Sequence, residues 1–443
     1  MVYDVVVVGG GLSGLTAAVQ LAVNGARVAL VEQANKLGGR AYSFVDKKTG
    51  DVVDNGQHVL VGAYSNTLRY LELIRTRELL SLPENFHLHF HHPTDGFETF
   101  SFGPTLFPMS LAVAGFRFRL LSLNERRKLM NVGFQLRKWN DGLERTLSGL
   151  SVTEWLVALG QSDGARRAFW YPIAVSVMNE SPEKASALLF ARSLRSTFFE
   201  KRDNAMVLIP TVGQSELYVD GAVRILAHHG AKVMTNTEAK SVMFRKNGAT
   251  GVALKGGRRL KAGSVICAVP YFNLARLLPA SMRQEPFTQA RKFESSPIVS
   301  IHLWFDRVVM DRDFVGLIDR RIQWVFNRRR ILHQHNKPEN YISAIISGAH
   351  GYVGMTREKL VNIALEDIAS AYPQTRKAVV THNIVIKEKR ATFSPTNERE
   401  QFRPSQQTPI GNFYLAGDWT ATGLPPTIEG AMLSGFRCAE LVA

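Results

Sequence analysis

Cysteine is nearly absent: Cys267 and Cys438 are the 2 thiols in 443 residues. They exclude a disulfide framework, have no metal-ligand spacing and fit a reducing compartment. Long apolar runs are missing too. No stretch reaches about 18 apolar residues, which excludes a membrane-spanning helix. The N-terminus has neither a basic lead-in nor a cleavage site, so a first strand is expected there and not a signal peptide. There are no internal repeats, low-complexity tracts or linkers. Acidic residues are scarce beside basic ones, 38 against 54, for a net charge of +16. Such an excess points to an anionic partner: nucleic acid, an anionic bilayer or an acidic substrate. No nucleic-acid motif accompanies it, so a membrane surface ranks above nucleic acid. At 45% hydrophobic and 21% charged, the rest is ordinary for a globular chain, with length for about three domains.

What is present begins at residues 2–41. Residues 3–8 are a valine-rich apolar run, which predicts a buried parallel strand. Gly9, Gly11 and Gly14 supply G-x-G-x-x-G on the turn into a helix over 12–24, apolar at Leu15, Ala18, Val19 and Ala22 and stopped by Gly25. Residues 27–31 form a second strand, closed by Glu32. The glycines serve a tight turn, close approach of backbone to a pyrophosphate, and packing of helix on strand. The N–H groups at the helix start attract phosphate. Glu32, 18 residues after Gly14, is placed to accept hydrogen bonds from a ribose diol, and its charge disfavours a 2′-phosphate. A bare glycine motif is common in turns. The flanking strand, helix and acid make this one a dinucleotide site for FAD or NAD.

Further along, Gly38 and Gly39 allow close backbone approach, and Arg40 can bond phosphates or sit over the cofactor. Residues 42–46 and 51–54 read as a hairpin, followed by the polar cluster Asp54-Asn55-Gly56-Gln57-His58 and a helix over 65–74. Residues 79–103 read as short strands, where alternation puts His87, His89 and His91 on one face. No Cys, Asp or Glu completes a site there, so no metal is expected. Residues 104–138 place an apolar stretch before Arg117, Arg119, Arg126, Arg127, Lys128, Arg137 and Lys138, the composition of a segment lying on anionic lipid. Helices are expected over 152–159, 165–177 and 182–199, the last started by Ser181-Pro182. A helix over 216–229 and strands over 232–235, 238–245, 250–254 and 264–268 suggest a return to the nucleotide domain. Strands over 297–305, 324–327, 341–346 and 378–386 and a helix over 357–371 follow. Arg320, Arg321, Arg328, Arg329 and Arg330 read as a solvated or lipid-facing cluster.

The tail repeats the opening grammar. A strand over 412–416 leads into Gly417-Asp418-Trp419-Thr420, and Pro425-Pro426-Thr427-Ile428-Glu429-Gly430-Ala431 opens a final helix. A second strand-to-helix turn is what an extended FAD needs. Asp418 is placed for the pyrophosphate–ribityl part, and the helix start at Thr427 for negative charge on a reduced ring.

The first-turn glycines with Glu32, then Gly38-Gly39-Arg40, then LAGDWTATGLPPTIEGAMLSG resemble the FAD-dependent amine oxidase and phytoene desaturase superfamily. Asp54 to His58, Gly62-Ala63-Tyr64, Trp170-Tyr171-Pro172 through Asn179, Pro182 to Ser186 and Gly423-Leu424-Pro425 look most like its hydroxysqualene dehydroxylases, enzymes of squalene and hopanoid synthesis. Residues 230–400 match less recognisably.

The resemblance implies an α/β fold: a Rossmann-like FAD-binding domain (1–75, 205–290 and 400–443) interleaved with an α+β substrate domain (76–204 and 291–399). It also implies membrane contact near 104–130, at the inner, cytoplasmic face. Carried over by position, the FAD contacts are Gly9, Gly11, Leu12, Ser13, Gly14, Glu32, Gln33, Gly38, Gly39, Arg40, Asn55, Gly56, Gln57, His58, Val242, Gly417, Asp418, Thr427, Ile428, Glu429 and Ala431. Two departures stand out. Thr427 replaces the aromatic residue of an amine cage, which argues against an amine oxidase, and Glu180 sits where the family's pattern has no acid.

The implied reaction is reductive dehydroxylation of hydroxysqualene to squalene. A long-chain isoprenoid alcohol loses water, an allylic cation forms, and reduced flavin supplies hydride. An electron donor outside the chain is required. The proton donor is expected to be His58, beside the expected flavin, or Glu180. The rivals are polyene desaturation of the phytoene type and a prenyl-binding escort without FAD, against which the intact glycine turn and Glu32 argue.

Overall fold

The computed structural model describes residues 2–82, 86–103, 107, 109–246, 248–282, 285–334 and 336–442. Residues 104–106 and 108 of the expected lipid-facing segment lie outside the described residues.

Strand Val2–Val8 runs through the middle of a seven-stranded sheet. Val28–Val31 and Arg259–Cys267 pair with it in parallel, and Lys232–Met234 and Phe413–Leu415 extend the parallel part. Gly248–Leu254 and Ala239–Arg245 close one side as an antiparallel meander. The valine run is apolar throughout because both faces are covered. Val5 and Val7 pack with Leu15, Val19 and Phe436 of the first and last helices, and Val6 and Val8 pack with Val265, Leu274 and Trp419. The expected return of residues 232–268 to the first strands is therefore present.

A second seven-stranded sheet runs in the order Val380–Phe393, Ser295–Phe305, Tyr341–Ser347, Trp324–Asn327, Phe314–Leu317, Phe86–His92, Gly96–Phe102. Its pairs are antiparallel except that Phe314–Leu317 lies parallel to Phe86–His92. The sequence pattern does not announce Phe314–Leu317, since Gly316 interrupts a very short run. That glycine is a packing requirement: a Cβ there would come within 2.8 Å of the Phe90 ring. Helices Met109–Arg117, Leu123–Arg137, Val152–Ala158, Tyr171–Met178 and Ala187–Arg195 supply most of a third core region around Trp155, Phe169 and Phe190. Two of them start with reciprocal Ser/Glu capping boxes, Ser122 with Glu125 and Ser151 with Glu154.

Two expectations need correction. The helix expected from residue 182 begins at Ala187, where Ser186 Oγ accepts from Leu189 N. Residues 182–185 form a turn whose carbonyls bond Val152 N and Thr153 N, so tertiary contacts outweigh the Ser-Pro start signal. The arginine cluster is not uniformly at the surface: Arg328 and Arg329 are 1% and 8% exposed and paired with Asp54 and Asp51. The expected alternation along Phe86–His92 is present, with Phe86 and Leu88 lining the large cavity described below. The alternating imidazoles therefore stand on the opposite face, where His89 Nδ1 bonds Thr99 Oγ1 at 2.9 Å.

Candidate active site

Each end of the chain contributes a strand, a glycine turn and a helix. At Gly9, φ is +109°, and a Cβ would lie 2.6 Å from Ala268 O. A Cβ on Gly14 would overlap the Gly9 carbonyl, whereas one on Gly11 would find its nearest neighbour, Gly39 Cα, 4.0 Å away. Gly14 therefore packs helix on strand, and Gly11 keeps an open cradle. Glu32 lies at the end of the second strand. Its Oε2 accepts from Gly10 N at 2.7 Å and its Oε1 from Ala34 N at 2.8 Å. The loop carrying Gly38 docks through Gly38 N to Gly10 O at 2.8 Å.

At the other end, Gly417 (φ +151°) leads into Asp418, which is buried. Arg40 Nη2 donates to Asp418 Oδ1 at 2.6 Å and Nη1 to Ala391 O at 2.6 Å, joining the first turn region to the last and to the second sheet. Thr427 Oγ1 accepts from Gly430 N at 3.2 Å just before helix Ile428–Val442. That helix lies against the first one at Gly435, where a Cβ would overlap Ser13 O. This close approach was not read from the sequence, although a mid-helix glycine is its signal.

The two turns share one continuous cavity of about 880 Å³, near the upper end for ligand pockets. Of the sequence-expected cofactor residues, every one but Gly14 and Val242 lines it. Val242 is buried in the core with Ala249 and Val252, and the wall at that point is Thr237 to Lys240. The cavity continues past Gln57 and His58 along apolar side chains missed by sequence reasoning: Ile173, Val177, Phe198, Phe314, Trp324, Phe326 and Ile345. Trp324 and Phe326 share a face by strand alternation, and that spacing was the available signal. Trp324 Nε1 donates to Ser176 Oγ at 2.6 Å, so its one polar atom is satisfied.

His58 is on the wall. Burial lowers its pKa, with Asp54 pulling the other way, so the neutral ring is favoured over the imidazolium. Glu180 is elsewhere: it does not line the cavity, and Ser394 Oγ (2.6 Å) and His350 Nε2 (3.2 Å) hold its carboxylate. It joins the end of helix Tyr171–Met178 to the second sheet. Its neighbour Asn179, at φ +49°, supports that junction through Thr392 Oγ1 and Gly348 N. Glu429 lines the cavity, but its carboxylate faces helix Ser65–Leu73, accepting from Asn66 N, Asn66 Nδ2, Thr67 N and Thr67 Oγ1 at 2.7–3.0 Å.

The residues present fit an extended dinucleotide. Gly11 offers an open cradle at one helix start, Glu32 faces the same cavity, a second helix start lies at Thr427, and buried Asn55 Oδ1 has no partner among the described residues. Fold and cavity together are those of a flavoprotein. The chain belongs to the flavin containing amine oxidoreductase family, whose sequence profile matches residues 12–443. It is an oxidoreductase, and its cofactor is FAD. It is similar to a hydroxysqualene dehydroxylase of Zymomonas mobilis, 26% identical over 441 residues and covering 98% of each chain. It is also similar to a 15-cis-phytoene desaturase of Synechococcus elongatus, 23% identical over 454 residues, or 99% of this chain and 95% of that one. Among solved structures, an oxidoreductase from Methanosarcina mazei superposes with a TM-score of 0.78 at 18% identity, covering 98% of this chain and 99% of that one.

Proposed function

We propose that the protein removes the hydroxyl of hydroxysqualene by reduction, giving squalene. The observation that carries this reading is one cavity that joins the glycine turns to an arm lined by Ile173, Val177, Phe198, Phe314, Trp324 and Phe326. The name of the Zymomonas relative supports it. Residues 1–75, 205–290 and 400–443 would hold FAD, and 76–204 and 291–399 the isoprenoid. Bound FAD, once reduced, supplies a hydride. The chain supplies position and dryness: Phe314, Trp324 and Phe326 exclude water from a carbon that becomes cationic when the hydroxyl leaves. His58 is the proposed proton donor. It stands on the cavity wall, and because burial lowers its pKa the ring must take up a proton before it can pass one to the leaving hydroxyl.

The test is anaerobic incubation of the FAD-loaded protein with hydroxysqualene and a chemical reductant. Squalene is expected, and His58→Ala with FAD retained should lower its rate by about 10²-fold or more. An unchanged rate removes His58 from the mechanism. No squalene, with phytoene oxidised instead, favours the desaturase reading, which the Synechococcus relative's name supports.

The same reading places the protein on an anionic bilayer at its cytoplasmic face. No helix among the described residues is long and apolar enough to cross a membrane. Met109, Phe116, Leu123 and Phe134 are 45–69% exposed on two helices that also carry the first basic cluster. Behind them Phe107 and Phe102 lead to Phe198 on the cavity wall, at centroid spacings of 6.3 and 6.2 Å. Flotation with phosphatidylglycerol vesicles is expected to recover the protein, and Phe116→Ser with Phe134→Ser should release it. Equal recovery of the double variant would contradict this docking face.

A further inference from the structure

We propose that Arg328 is a positioning residue for FAD: its guanidinium holds the wall formed by residues 54–58 in register with the second sheet. Arg328 follows strand Trp324–Asn327, two of whose side chains line the cavity, and is 1% exposed. Its Nη2 donates to Asp54 Oδ2 at 2.5 Å, and its Nη1 donates to Gln57 Oε1. A guanidinium is a rigid planar fork, so it fixes the separation of its two acceptors as well as their charge balance. Asp54 and Gln57 bracket the wall, and Asn55, Gly56, Gln57 and His58 all line the cavity.

Asn55 is tied to the loop before it, its Nδ2 donating to Arg40 O (2.9 Å) and its N to Tyr42 O (3.0 Å), and further attachments come from residues that do not line the cavity. Asp54 Oδ1 accepts from Ser43 Oγ (2.7 Å) and Gln214 N (3.1 Å), Asn55 O accepts from Ser300 Oγ (3.2 Å), and Gln214 Nε2 donates to Gly56 O. Arg328 alone among these partners reaches two of the wall's side chains from the second sheet. It therefore couples the placement of the apolar arm to that of the cofactor.

Nature supplies a control in the next residue. Arg329 is also buried, and its Nη2 bonds Asp51 Oδ2 at 2.7 Å, with Lys337 Nζ 2.9 Å from Asp51 Oδ1. Neither Arg329 nor Asp51 lines the cavity. A stabilising role would make the two arginines equivalent, while a positioning role separates them.

The experiment uses the full flavin-loaded chain and follows FAD release by recovery of flavin fluorescence, together with the visible flavin band and Tm. Arg328→Met and Arg328→Lys are compared with Arg329→Met. Both Arg328 variants are expected to weaken FAD binding at least about tenfold and to move the band, because lysine keeps the charge but not the fork. Arg329→Met should lower Tm yet keep the FAD Kd within about twofold of wild type. Wild-type affinity and band in Arg328→Lys, or an equal loss in Arg329→Met, would overturn the proposal. If Arg328→Met does not fold, Gln57→Leu cuts the same link with the Arg328–Asp54 pair left in place. It should move the band in the same direction, and an unmoved band overturns the proposal.

Discussion

Gly11 and Gly14 stand on the same turn, yet their missing side chains matter for different reasons. Gly14 has no room for a Cβ, which would overlap a backbone carbonyl that cannot move without the strand. Gly11 has room within the protein, and its φ of −73° suits alanine. Gly14→Ala is therefore expected to cost about 3 kcal/mol, the upper end of overpacking, measured by urea unfolding. Gly11→Ala should keep Tm within about 2 °C and still lose FAD on gel filtration, since the methyl fills the cradle. A yellow Gly11→Ala protein would show that the cofactor does not approach this turn. At this scale the sequence was legible where glycine spacing and a terminal acid define local geometry. It was not legible at Glu180 or Val242, because the pattern of neighbours does not reveal which way a side chain faces.

Among the elements, the last helix is secured at its start by a contact no local pattern announces. Glu429 accepts four hydrogen bonds from Asn66 and Thr67, covering free N–H groups at the start of helix Ser65–Leu73. A carboxylate there also meets the positive end of the helix dipole. Glu429→Gln removes the charge and forces an amide donor against donors. It is expected to cost about 1–3 kcal/mol in urea unfolding. A change below about 0.5 kcal/mol would show that the cap is dispensable. Helix Arg357–Ala371 and strand Trp324–Asn327 match their sequence readings, because caps and periodicity are local. The start at Ala187 and the strand Phe314–Leu317 do not, because each depends on partners distant in the chain.

Across the whole molecule, buried titratable groups where the second sheet meets the hairpin of residues 43–54 set a shared acid sensitivity. Burial, helped by Arg328, pushes His302 down to about 3, and its Nδ1 bonds Tyr341 OH at 2.9 Å. Its folded pKa lies below the unfolded value near 6.5, so the unfolded chain binds more protons between these limits. Stability from this residue is complete above about pH 6.5 and declines as pH falls toward 3. The loss is about 2 kcal/mol at pH 5. Asp51 adds to it lower down. Its burial is outweighed by Arg329, Lys337 and Trp304, which hold its pKa at about 2, so its contribution fades as pH drops below about 4. His302→Gln should flatten the decline of Tm between pH 6.5 and 4.5 while keeping the steeper fall below. An unchanged slope would place the titrating group elsewhere, with His58 the next candidate.

The sequence by itself determined the two strand–turn–helix halves, at either end of the chain, that line the cavity. Each is a strand, a turn and a helix contiguous in the chain, and their glycines and acids satisfy steric and hydrogen-bonding rules that act over a few residues. Only the tertiary structure decided that the halves share a cavity, that its apolar arm is walled by Phe314, Trp324 and Phe326, and that Arg328 and Arg329 are interior. The physical reason is pairing at long range. An arginine can leave water only when a carboxylate and acceptors are placed to receive it. The carboxylates placed for Arg328 and Arg329, Asp54 and Asp51, stand more than 270 residues earlier in the chain.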